Sequence, residues 1–123
     1  MERLVMREIK FRAWNTIIKR YYYNIQNVHD EEIADSFQNI LDNDELIVEQ
    51  YTGLKDKNGV EIYEGDIVKV VLQYWGQLGN TYVVTFESGS FLVSTTTLSD
   101  IKGSVVVIGN IHENADLLEY NKR

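Results

Sequence analysis

Two histidines, His29 and His112, and a cluster of carboxylates between residues 56 and 66 are the side chains best suited to chemistry in this chain of 123 residues. A histidine beside Asp30 or Glu113 is a candidate metal ligand. Neither histidine belongs to an HxH or HxxxH pattern, which disfavours a metal site at either. Asp56, Glu61, Glu64 and Asp66 surround two turns, and four gathered carboxylates could hold Mg²⁺ for phosphoryl transfer. The same four residues also serve simply as turn formers and solvated surface groups. A serine nucleophile finds no GxSxG elbow, and the GxGxxG and GxxxxGK[ST] phosphate loops are absent. The chain has no cysteine, which removes disulfides, thiolate metal sites and cysteine nucleophiles. The expectation is a protein that is not an enzyme and carries no cofactor and no catalytic metal.

What remains is recognition by surfaces. Tyr74, Trp75 and Tyr82 border a loop marked by Gly76 and Gly79, and aromatics beside such a loop can grip a peptide or an unstacked base. A second surface is electrostatic. Arg3, Arg7, Lys10, Arg12, Lys19 and Arg20 make a basic N-terminal stretch. The stretch from Asp30 to Glu49 carries eight carboxylates and no Lys or Arg. The two either pair within one chain or meet between copies, with Arg12 and Lys19 against Glu31, Glu32 and their neighbours. A net charge of −7 disfavours broad binding to a phosphate backbone, which runs on surplus Lys and Arg. It favours protein partners and self-association. Two alternatives stay open: a nucleic-acid binder using Arg7, Lys10, Arg12 and the aromatics, and an acidic inhibitor of a host nucleic-acid enzyme.

These side chains need a scaffold, and the hydrophobic period supplies one. Ile9, Phe11 and Ala13 alternate with Lys10, Arg12 and Trp14 as a strand with one apolar and one charged face. Ile17–Ile25 returns beside it after an Asn15-Thr16 turn. Adjacent residues of a strand face opposite ways, so Tyr21, Tyr22 and Tyr23 cannot form one flat stacking platform. Asp30 caps a helix to Asp42, whose stripe is Ile33, Phe37, Ile40 and Leu41. Leu46 opens a strand to Tyr51 or Thr52.

The densest turn chemistry follows. Asn58-Gly59 and Glu64-Gly65-Asp66 are tight-turn sequences, because Asn and Gly accept positive φ. The strand Ile67–Tyr74 comes next, with Val68, Val70, Leu72 and Tyr74 on one face. Tyr82, Val84 and Phe86 mark another strand. Ser88-Gly89 turns the chain into Phe91 and Val93, and Thr95–Thr97 is an edge strand or a loop. Val105–Ile108 reads as a strand buried on both faces. Asn114 precedes a short helix over Ala115–Tyr120. Val68, Val70, Leu72, Val84, Phe86, Val105 and Val107 are the expected core.

The stretch QYTGLKDKNGVEIYEGDIV, from Gln50 to Val68, resembles the signature of the YopX family of phage and prophage proteins. REIKFRAW, Arg7–Trp14, resembles that family's opening block, and VIGNIHENADLL, Val107–Leu118, its closing block. His112 and Ala115 stand where the closing block usually has Tyr and Pro. The resemblance implies a phage-encoded, cytoplasmic, partly β-barrel protein and no established activity. The expected fold is mostly β (α+β): one compact domain over 1–123. Within it, an N-terminal strand-and-helix part spans 1–50, an SH3-like small β-barrel spans 51–111, and a short helix and tail span 112–123. No apolar run approaches the roughly 20 residues of a membrane helix.

Overall fold

The computed structural model describes residues 8–27 and 37–121. The fold is mostly β, and the chain divides into two compact units, Met1–Gly53 and Leu54–Arg123.

In the first unit, β1 (Phe11–Asn15) pairs antiparallel with β2 (Arg20–Tyr23) and with the start of β3 (Leu46–Lys55). A 3₁₀ turn, Ile25–Asn27, and a helix, α1 (Phe37–Leu41), complete the unit. One sheet face is apolar. Ala13 packs with Ile25 and Ile40, and Phe11, Phe37, Leu46 and Val48 surround them. The Phe11 and Phe37 rings lie 4.9 Å apart. Leu41, expected on the helical stripe, is instead exposed, because the helix ends there. Asn43 then turns the chain, its side-chain oxygen accepting from the Glu45 amide at 2.8 Å. The expected helix start, Asp30–Ser36 with Ile33, lies outside the described residues.

The other face of β1 departs from the expected charged, solvated surface. Arg12 and Trp14 are both buried, while Ile9 lies outside the strand and is exposed. Strand β2 also begins later than expected. Ile17–Lys19 form a turn rather than strand, because Asn15 gathers the amides that would otherwise pair across. Its side-chain oxygen accepts from Ile17 at 2.9 Å and Ile18 at 3.1 Å, and its carbonyl accepts from Lys19 at 2.9 Å.

In the second unit, the end of β3 turns through residues 56–60 into β4 (Glu61–Tyr63). A five-stranded antiparallel sheet follows. Its order is β8 (Thr96–Thr97), β7 (Ser90–Val93), β6 (Thr81–Glu87), β5 (Asp66–Val70), β9 (Val105–Asn110). The pairing of β5 with β9 slips between Ile67 and Val68, which face Gly109 and Val107. Such a bulge bends a strand and curls its sheet.

The core is Ile62, Val68, Val70, Val84, Val93, Leu98, Ile101 and Val105. Four of the seven expected core residues are there, and Val107 packs against them half-buried. Leu72 and Phe86 do not join the core and are 46% and 49% exposed. Strand β5 stops at Val70, where the amides of Val71 and Leu72 both turn to the Ser104 carbonyl, so the two-residue period ends before Leu72. Phe86 sits near the β6–β7 turn, its ring tilted 57° to that of Phe91 with the ring centres 4.9 Å apart. Beyond Val105, strand β9 is half-buried, not buried on both faces. A helix absent from the sequence reading, α2 (Leu98–Ile101), puts two fully buried side chains into the core. A 3₁₀ turn, Lys102–Ser104, leads into β9, and a 3₁₀ helix at Ala115–Asn121 ends the described chain.

Candidate functional site

The carboxylates weighed as metal ligands are held in turns. Asp56 is buried, and its two oxygens accept three backbone amides: Asn58 at 2.8 Å and Val60 at 2.9 Å on one, Val107 at 2.8 Å on the other. It closes its own turn and pins that turn to β9. Asp66, also buried, accepts the Tyr63 amide at 2.8 Å and closes the second turn around Gly65. Gly65 takes φ 89, a left-handed conformation that suits glycine. Glu61 and Glu64 are half-buried. Among the described residues, no three His, Asp or Glu side chains stand together as a metal-ion group.

The closing block is built the same way. Asn110 accepts the amides of His112 and Glu113 at 3.0 Å each, and Asn114 accepts the Asn110 amide at 3.1 Å. A Cβ on Gly109 would meet the Asn114 side chain at 2.5–2.8 Å, so only glycine fits beside that asparagine. His112 thus lies in a turn; His29 lies outside the described residues.

The three aromatics of the β5–β6 loop separate. Tyr74 and Tyr82 pack against the core, and the Tyr82 hydroxyl accepts the Asn80 side-chain amide at 2.9 Å. Trp75 is 87% exposed at φ 46. Leu72 and Leu78, which the sequence reading did not place here, are exposed on the same loop. The loop is ordered by its backbone. Gly79 and Asn80 close it against Val70, and Gln77 donates to Tyr74. Residues 70–86 hold no charged side chain. Outside the loop, an open groove of about 380 Å³ runs along β6 between Thr81, Val83, Thr85, Glu87 and Leu118.

Of the residues expected to join copies of the chain, Arg12 is committed elsewhere. Its Nε meets Glu49 at 2.8 Å with both side chains buried. The Tyr21 hydroxyl donates to the same Glu49 oxygen at 2.9 Å, and the guanidinium lies 4.2 Å from the Tyr21 ring centre. Cross-strand register explains the pairing, since Arg12 faces Glu49 across β1 and β3. Basic meets acidic here inside one chain. Lys10 lies 3.4 Å from Glu8 and 4.9 Å from the Tyr51 ring centre. Lys19 is exposed in the β1–β2 turn at φ 60. Glu31 and Glu32 lie outside the described residues.

The sequence profile of the YopX protein family matches residues 10–119. The chain belongs to the YopX family. The YopX match takes in both turn-closing aspartates and the Gly109–Asn114 lock. A crystal structure of protein EF1440 from Enterococcus faecalis is similar to this chain at 28% identity and a TM-score of 0.65. The likeness covers 90% of this chain and 98% of that one. No curated protein matches. Among the described residues, no helix is long and apolar enough to cross a membrane.

Proposed function

We propose that this YopX-family chain is a non-enzymatic phage accessory protein of the host cytoplasm. It acts by binding another protein through the β5–β6 loop and by self-association. Its second unit is an SH3-like barrel. Three features support that assignment: the strand order β9-β5-β6-β7-β8, the long loop between β5 and β6, and the 3₁₀ turn ahead of β9. In barrels of this kind the first long loop grips peptides with aromatic side chains.

Trp75 carries the proposal. An indole 87% exposed on a backbone-ordered loop buries no core surface, and its left-handed φ costs about 1 kcal/mol or more. Exposed Trp is the residue type that anchors protein interfaces. The loop's neutrality suits an uncharged protein segment better than a phosphate backbone. Lys10 and Arg12, on which nucleic-acid binding would lean, already face Glu8, Tyr51, Tyr21 and Glu49.

The test is copurification from phage-carrying host cells with tagged wild type and Trp75→Ala. A protein retained by the wild type and lost with Trp75→Ala supports the reading. Identical sets from both chains contradict it.

A further inference from the structure

The first unit gathers a second, differently composed surface at one edge of its sheet. Strand β1 ends at Asn15 opposite Leu46, where β3 begins, so the β1–β2 turn and the α1–β3 turn lie side by side. Two bonds tie them: the Thr16 amide and hydroxyl both donate to the Glu45 carbonyl, at 2.9 and 3.0 Å. From one turn project Ile17 and Ile18, 66% and 51% exposed, followed by Lys19 and Arg20. From the other come exposed Asp42, Asp44 and Glu45, flanked by exposed Leu41 and Ile47.

Two β-branched isoleucines at a turn tip are held out, because the Asn15 side chain fixes the amides of Ile17 and Ile18. Of the charges beside them, Arg20 lies 5.3 Å from the Tyr22 ring centre and Asp42 accepts from the Gln38 side-chain amide at 3.1 Å. Lys19, Asp44 and Glu45 make no ion pair among the described residues. Cations and anions therefore sit together on one edge without neutralising each other.

We propose that this edge is the self-association surface, and that its occupant is the same edge of a second copy. The inference rests on the self-association part of the reading above and names its site. A two-fold contact is self-complementary, so each interaction occurs twice. With the axis at the isoleucine pair, Ile17 and Ile18 of the two copies bury each other. Lys19 and Arg20 of each copy then meet Asp42, Asp44 and Glu45 of the other. A surface of one sign could not close on itself this way, and an apolar tip without charges would leave the register of the two copies unset. Three carboxylates beside the tip repel an anionic lipid surface, which decides between a second copy and a membrane.

The experiment is sedimentation velocity on the full chain from 1 to 100 μM at low and high salt. The variants are Ile17→Ser/Ile18→Ser, Lys19→Glu, and Lys19→Glu with Asp44→Lys. All positions are exposed, and circular dichroism melting confirms that each variant folds. The expected wild type is a dimer or a multiple of dimers. The isoleucine variant weakens association at least tenfold, Lys19→Glu weakens it severalfold, and adding Asp44→Lys restores it. A wild-type monomer at every concentration overturns self-association as a whole. An oligomer that survives the isoleucine substitutions unchanged overturns only this surface. A monomer that binds vesicles of anionic phospholipid, and loses them with Ile17→Ser/Ile18→Ser, assigns the edge to a membrane and overturns the second copy.

Discussion

At the residue scale, the side chains that resemble an active site are occupied in holding turns. Asp56 accepts three hydrogen bonds from backbone amides, one of them 51 residues away on β9. Its truncation removes a charged acceptor and strands those amides, and each such loss costs about 1–3 kcal/mol. Asp56→Ala is therefore expected to lower unfolding free energy in urea by about 3 kcal/mol. Asp56→Asn, which keeps one carbonyl acceptor, is expected to lose about half of that. Metal-dependent DNA cleavage by the purified protein, abolished by either change, would show that the carboxylate does chemistry instead. Gly109 and Asn114 are coupled through space. Gly109→Ala drives a methyl into the Asn114 side chain and is expected to cost about 2 kcal/mol, typical of overpacking. In Gly109→Ala/Asn114→Ala the clash is gone, and the double variant is expected to lose less than the sum of the two single losses. Strict additivity in urea denaturation would mean that the two residues act independently.

At the element scale, the β1 strand was legible from its alternation, but the fate of its polar face was not. The two-residue period says which residues share a face, not what the neighbouring strand sets opposite them. Arg12 is buried because Glu49 arrives at its register position and Tyr21 beside it. Removing one partner of a buried pair leaves an uncompensated charge, whereas replacing both with apolar groups is far milder. Arg12→Met alone is expected to cost about 3–5 kcal/mol by chemical denaturation. Arg12→Met/Glu49→Leu is expected to recover most of that loss; a double variant as unstable as the single would refute the pairing account.

Leu72 illustrates a different blind spot. Its spacing continues the β5 face, yet the strand ends where backbone bonds to Ser104 and Asn80 bend the chain, and no side-chain pattern records those bonds. Helix α2 escaped because four residues are too few to show a period. The turns, by contrast, were readable, since Asn-Gly and Gly-Asp chemistry is local. The β5–β6 loop holds Trp75 in a conformation that asparagine accepts and tryptophan does not prefer. Trp75→Asn is therefore expected to leave stability unchanged or raise it by about 1 kcal/mol. A loss of about 3 kcal/mol or more, as for a core aromatic, would mean that the indole packs structurally.

At the scale of the whole molecule, the family match spans nearly all of the chain, and its signature residues account for turns, bulges and tight backbone approaches. Two exposed surfaces stand out: the uncharged Trp75 loop in one unit and the isoleucine edge, with its mixed charges, in the other. They have different compositions and belong to different units, so they are expected to fail independently under mutation. Trp75→Ala should leave the oligomeric mass unchanged. The claim that the chain works by gripping another protein is tested most directly by contact at the indole position itself. Replacing Trp75 with photoreactive benzoylphenylalanine in phage-carrying host cells is expected to give, on illumination, a discrete crosslinked band. The same replacement at exposed Lys69 on β5 should not give it. No product at position 75, or the same products from both positions, would contradict the account.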